Sequence, residues 1–124
     1  MSDAFASILV LSRRIDVESL RKLAEEGFGE MVKYVVDVDR NLIAIGGDLH
    51  ADAEQVLLES GSRQEDLWGA NYYPGRGPDG CIEYTSLINI RPSQGNGSML
   101  VQDPGIRERI RRLTSTLIGE GEAL

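Results

Sequence analysis

CIEYTSLINIRPSQGN, residues 81–96, changes character within a single segment. From Cys81 to Ile90 apolar and polar residues alternate with the two-residue period of a β-strand. The alternation stops at Arg91-Pro92, and Arg91, Ser93, Gln94, Asn96 and Ser98 follow within eight positions, spaced by Pro and Gly. A strand that runs into a polar, backbone-constrained loop fixes what that loop presents. This one segment therefore sets both a strand to be paired and a place for a site.

The partner strand lies just upstream. DLWGANYY (66–73) and residues 81–90 flank PGRGPDG (74–80), whose two Pro and three Gly mark a loop. That loop pairs Trp68 with Ser86, Ala70 with Tyr84 and Tyr72 with Ile82, and it turns these six, with Ile88 and Ile90, toward the core. The other face sets Asn71 against Glu83, Gly69 against Thr85 and Leu67 against Leu87, then adds Asn89 and Arg91. That second face is mostly polar.

Working outward, MVKYVVDV (31–38) and Leu42 to Gly46 read as a second hairpin. With Arg40-Asn41 as its loop, Val38 faces Ile43 and Val36 faces Ile45, whereas a one-residue slip would lose the apolar agreement. SILVL (7–11) is a short N-terminal strand. Helices are expected over 17–26, capped by Asp16 with Ile15 and Leu20 as a hydrophobic staple, and over 49–59, capped by Asp48 with Leu49, Ala53, Val56 and Leu57 buried. A third begins at Asp103-Pro104 and repeats Ile106, Ile110, Leu113 and Leu117 at helical spacing. The expected fold is α+β in one domain, 1–124: a mostly antiparallel sheet of two hairpins plus the N-terminal strand, with about three helices packed on one side. Residues 1–6 and 120–124 are expected to be flexible ends.

The composition bounds the function. The chain has 124 residues, 41% hydrophobic and 27% charged, as in ordinary soluble globular proteins. Cys81 is the sole cysteine, which excludes an internal disulfide framework and fits a reducing cytoplasm. Apolar runs stop at about five residues, far short of the ~20 a spanning helix needs, and no signal peptide pattern is present. A net charge of −7 and a pI near 4.7 disfavour general binding to nucleic acid or to anionic membranes.

GGDLHADAEQVLLESGSRQEDLWGANYYP and SLINIRPSQGNGSM, with the words LHADAE, QEDLWG and INIRPSQGN inside them, resemble a family of small prokaryotic proteins classed only as a domain of unknown function. The likeness spans roughly residues 31–110 and implies no reaction, cofactor or ligand.

The residues themselves offer three readings. The first is a non-enzymatic binding module that presents the 91–98 loop to a protein partner or small anion, without a cofactor. Asn71, Glu83, Asn89 and Arg91 would form a polar wall closed by Ser93, Gln94 and Asn96, with the planar guanidinium suited to carboxylate or phosphate. The bland counterpart pairs Arg91 with Glu83 and leaves Gln94 and Asn96 to stabilise a turn. The second reading is a metal-assisted hydrolase or nuclease built on Asp48, His50 and Glu83. Asp48, His50, Asp52 and Glu54 are four ligand-type side chains within seven residues, but their spacing matches no established metal motif. An acidic first turn that complements the helix dipole, with His50 paired to Glu54 on the surface, accounts for them without a metal and is the favoured account. The third is a nucleic-acid-associated regulator using Arg107, Arg109, Arg111 and Arg112 on the last helix, a row that otherwise forms a solvated face. Ser93 lacks a neighbouring histidine and Cys81 has no evident cationic neighbour except Arg76, so neither reads as a nucleophile. Sheet edges without a blocking proline point to a symmetric homodimer.

Overall fold

The computed structural model describes residues 7–124, so the loose end expected for residues 1–6 lies outside the described residues. β1 (Ile8–Leu11) is followed by α1 (Val17–Glu26), the hairpin β2 (Val32–Asp37) and β3 (Leu42–Gly46), and α2 (His50–Glu59). Then come β4 (Leu67–Tyr72), a two-residue β5 (Ile82–Glu83) and α3 (Pro104–Leu117), with short 3₁₀ turns at Gln64–Asp66, Leu87–Asn89 and Pro92–Gln94. The strands form one sheet in the order β1-β3-β2-β4-β5, every neighbouring pair antiparallel. The fold is α+β, with three helices on a five-stranded antiparallel sheet. No helix among the described residues is long and apolar enough to cross a membrane.

Helix ends follow local chemistry. Asp16 accepts from the Ser19 amide at 2.9 Å, and Asp103 accepts from Gly105 and Ile106 at 2.7 and 3.2 Å with Pro104 at the first helical position. Each carboxylate satisfies amides that an isolated helix end leaves bare. α2 departs from this pattern. Its N-cap is Leu49 rather than Asp48 and has no side-chain cap, and Leu49 is exposed instead of joining the buried stripe. His50, Ala53 and Leu57 form that stripe.

The helices do not share one side. Val32, Tyr34 and Val36 of β2 face a core closed by α1 and α3 through Leu20, Leu23, Ile110 and Leu117. Val35 and Ala44 point the other way, into a smaller core with Ala53 and Leu57 of α2. The expected one-sided layer is thus corrected to a sheet with α1 and α3 on one face and α2 on the other. The reason is legible in Tyr34-Val35-Val36, a run without polar alternation, as expected of a strand buried on both faces.

The first hairpin keeps the expected parity but sits two residues away: Val36 faces Ile43, and Tyr34 faces Ile45. The buried carboxylate of Asp37 sets this register. Its Oδ1 accepts from the Asp39 and Arg40 amides, both at 2.9 Å, and its Oδ2 from Ser62 Oγ at 2.5 Å. Those bonds draw residues 38–41 into a loop, with Asn41 in the left-handed region at φ 56°.

The second hairpin begins as expected, with Tyr72 opposite Ile82 and Asn71 opposite Glu83. β5 then ends, and the ten-residue strand expected over 81–90 is corrected to a two-residue one. Beyond it, Thr85 bridges Leu100, the Ser86 amide donates to the Met99 carbonyl, and the Val101 amide donates to that of Tyr84. Ser86 Oγ accepts from the Ile88 amide and opens a 3₁₀ turn. Trp68 is buried in the larger core and Tyr84 packs against it, but Ile88 joins the smaller core and Ile90 is exposed. The tail is also tied: Gly121 donates to Tyr72 Oη at 2.8 Å, and its carbonyl accepts from Gly75 and Gly77. Gly121, within the 120–124 end expected to fray, is held by these contacts.

Candidate functional site

Because β5 stops early, the outer edge of β4 needs another partner for its backbone groups. Asn89 supplies it. The Gly69 amide donates to Asn89 Oδ1 at 2.8 Å, and Asn89 Nδ2 donates back to the Gly69 carbonyl at 3.0 Å. One side-chain amide thus stands in for a residue of a neighbouring strand. Glycine at 69 makes the approach feasible, since a Cβ there would lie 2.6 Å from Ser86 Cβ and 3.2 Å from His50 Cδ2. Replacing Asn89 by leucine would strand both groups of Gly69 in a buried site. The expected cost is about 2–4 kcal/mol, read as a lower urea midpoint at unchanged slope.

Arg91 completes the frame. Its Nε donates to the Ile88 carbonyl at 3.1 Å, one terminal nitrogen to the Gln64 carbonyl at 2.6 Å and to Gln94 Oε1 at 3.1 Å, and the other to the Leu67 carbonyl. The guanidinium lies 4.3 Å above the Trp68 ring, and burial draws its pKa below the ordinary value, with Glu54 opposing. Asn96 closes the loop. Its backbone pairs with that of Arg91, and its Nδ2 faces the carbonyls of Asn89, Ser98 and Leu100 at 2.9, 2.9 and 3.1 Å. The Gln102 amide donates to its Oδ1. Gln94 donates to the Glu65 carbonyl, while Ser93 is exposed.

This frame lies behind a cleft of about 360 Å³ between the start of α2 and the segment after β5, and it holds two of the cleft's lining residues: Arg91 donates to the Ile88 carbonyl and Asn89 to the Met99 carbonyl. That volume falls within the ~300–1,000 Å³ of small-molecule sites. His50 and Asn71 line it along with Lys33, Ser86, Leu87 and Met99. His50, only 7% exposed, turns inward, with Nε2 2.8 Å from the Ala70 carbonyl. Asn71, 6% exposed, donates through Nδ2 to Glu83 Oε1 at 2.8 Å, and Tyr73 Oη donates to the same oxygen at 3.1 Å. Asn71 Oδ1 is buried without a hydrogen-bond partner.

Burial pulls the pKa of His50 below its ordinary 6.5; Lys33 acts in the same direction, and the Ala70 carbonyl, Asn71 and Glu83 oppose. The unfolded chain binds a proton near 6.5 that the folded chain refuses. Stability from a neutral His50 is therefore complete above that pH and is lost as the pH falls through the folded value. Urea midpoints measured from about pH 7.5 to 5 should decline for the wild type. His50→Gln should flatten the upper part of that decline.

The seven candidate ligand-binding residues fall into two groups. Asn71 lines the cleft and Glu83 holds its amide from outside the lining, whereas Asn89, Arg91, Gln94 and Asn96 form the frame, and Ser93 belongs to neither. Arg91 does not pair with Glu83. Its fork is taken up by main-chain carbonyls, and Glu83 serves Asn71 and Tyr73. The expected surface pairing of His50 with Glu54 is replaced by the inward bond to Ala70. Among the described residues no group of three or more His, Cys, Asp or Glu side chains is placed to hold a metal, and Asp48 and Asp52 are exposed. The arginines of α3 have local partners. Arg107 stacks on Tyr84, Arg109 donates to the Val38 carbonyl, and Arg111 and Arg112 hold Glu108, whose carboxyl they push down to about 2.

Sequence reading placed Ala53 and Leu57 on the inward side of α2 but missed His50 there, and it missed Lys33 as a cleft residue. The signal was present in His50, Ala53 and Leu57, spaced to share one helical face. Lys33 lies opposite Asn71 in the β2–β4 register.

Comparison with curated proteins and with solved structures finds no match. A family profile does match, over residues 9–117, and so takes in β1 and α1, which the resemblance over roughly 31–110 left out. The chain belongs to that family, described as protein of unknown function (DUF5674).

Proposed function

We propose that the protein is a non-enzymatic binding module whose ligand site is the cleft between α2 and the segment after β5. The loop at 91–98 acts in it as a frame rather than as the contact surface. The observation that carries this reading is Asn71 Oδ1, a buried acceptor with no protein partner in a cleft that also has apolar walls. Buried polar atoms without partners are uncommon in folded proteins and call for an explanation. The hydrolase reading has less behind it, because His50 points at a carbonyl and Glu83 is engaged by Asn71 and Tyr73. Net acidity and the local partners of the α3 arginines weigh against nucleic acid.

A fragment screen on ¹⁵N-labelled protein tests the proposal. Binders should perturb the amides of residues 49–51, 71, 85–88 and 99 together. Hits confined to other surfaces would remove the cleft from consideration.

A second reading concerns the partner. β1 lies at one edge of the sheet, and Leu9 and Val10 are 37% and 47% exposed. No described strand pairs with its outer side, and an apolar edge strand is a template for pairing, so we infer a symmetric dimer through antiparallel β1–β1 contact. Light scattering should give twice the 13.6 kDa chain mass, and Val10→Lys should return it to the monomer. A wild type that stays monomeric at high concentration defeats this reading.

A further inference from the structure

Resting on the cleft reading above, the hydrogen-bonding capacity of the cleft defines a ligand class. The orientation of the Asn71 amide is fixed by chemistry, because Nδ2 meets Glu83 Oε1 at 2.8 Å and the Thr85 carbonyl at 3.5 Å, and both only accept. Turning the amide over would set oxygen against oxygen. Oδ1 is therefore the unpartnered atom, and Glu83, by polarising the amide, makes it a better acceptor.

His50 leads to the same result. A carbonyl cannot donate, so Nε2 must carry the proton in its 2.8 Å bond to Ala70. In the neutral ring Nδ1 is then a bare acceptor; the Asn71 side chain faces the ring and favours its protonated form, but with the ring neutral neither acceptor receives a hydrogen bond from the described residues. The polar end of the cleft thus offers two acceptors. Its ligand must bring a donor.

Charge narrows the class further. The ionisable side chains lining the cleft are Lys33 from β2 and His50, which burial holds neutral, while Glu83 from β5 lies outside the lining and is engaged by Asn71 and Tyr73. An ammonium ligand would meet Lys33, and a carboxylate would meet the two acceptors. Either charge is opposed at this end, an ammonium by repulsion and a carboxylate by two lone pairs, and burial adds its desolvation cost. Lys33 forms no ion pair among the described residues; its ammonium lies 5.3 Å from the Phe28 ring centroid, a contact that leaves it N–H groups to offer an uncharged acceptor. Leu49, Leu87 and Met99, all exposed, line the apolar mouth.

We propose that the cleft takes a small, neutral, largely apolar molecule ending in a primary amide or an equivalent N–H donor beside a carbonyl. The N–H reaches Asn71 Oδ1 and His50, the carbonyl turns to Lys33, and the apolar body lies against Leu49, Leu87 and Met99.

The test titrates ¹⁵N-labelled protein with 3-methylbutanamide, methyl 3-methylbutanoate, 3-methylbutanoate and 3-methylbutylamine, each to about 20 mM, in the millimolar range suited to so small a ligand. The amide should move the Asn71 side-chain NH₂ resonances and the Gly69 and Ala70 amides. The ester, the acid and the amine should bind roughly tenfold more weakly or less, since each lacks the donor, the neutrality or the carbonyl. Lys33→Met, at a half-buried position that tolerates change, should weaken the amide without altering the rest of the spectrum. Imidazole ¹⁵N shifts should show the Nε2–H tautomer. Equal binding of ester and amide at the same residues would overturn the ligand class and leave the cleft reading standing. A proton found on Nδ1, giving Asn71 Oδ1 an internal partner, would overturn the class in the same way. Failure of all four probes and of the broader fragment set to touch the cleft would overturn both.

Discussion

Arg91→Lys should lower the stability of the protein by about 2–3 kcal/mol, and Arg91→Ala by about 3–4 kcal/mol. The guanidinium serves the carbonyls of Gln64, Leu67 and Ile88, which come from two separate segments, and it does so with a rigid planar fork. An ammonium carries a comparable charge but concentrates its donors at one point, so it cannot reach all three. Carbonyls left unpaired in a buried site cost more than the net value of the bonds that served them. Urea unfolding is the measurement, with the single tryptophan as a reporter. An unchanged midpoint for Arg91→Lys would mean that the loop does not depend on the fork, and the frame would lose its centre. The same substitution should leave the architecture of the cleft floor intact, because Asn71 and His50 bond elsewhere.

Trp68→Ala carries the other large expected effect, about 3–5 kcal/mol. Trp68 is 2% exposed, in the core beneath α3, and its ring is also the surface on which the Arg91 guanidinium lies at 4.3 Å. Removing it leaves a cavity and takes away a cation–π contact. The two losses share an atom group, so the double substitution Trp68→Ala with Arg91→Lys should cost less than the sum of the single ones. Strict additivity would show that Arg91 draws nothing from the ring. Chemical denaturation of all four proteins, at one pH and with intrinsic fluorescence replaced by far-ultraviolet dichroism, closes the cycle.

Taken by itself, the sequence determined the elements whose causes lie within a few residues of one another. Asp16 and Asp103-Pro104 cap helices because a carboxylate three positions before an amide is enough to satisfy it. The parity of both hairpins followed from alternation, and Asn71 opposite Glu83 followed from the length of the loop at 74–80. The tertiary structure alone decided where the polar ends went. Asn89 finds Gly69 across 20 residues, Arg91 finds Gln64 across 27, and His50 finds Ala70 across 20. Strand alternation placed Asn89 and Arg91 on a mostly polar face, as part of a ligand wall, but an unpaired edge of β4 offered buried carbonyls and an amide that only side chains could satisfy. Likewise the side of the sheet taken by α2 was settled by Val35 and Ala44, whose need for cover registers only once β2 stands between two neighbours. Short-range capping and periodicity are written in the local chain. The partner of a buried polar atom is chosen by whichever backbone groups the completed fold leaves unpaired, and that choice exists only in three dimensions.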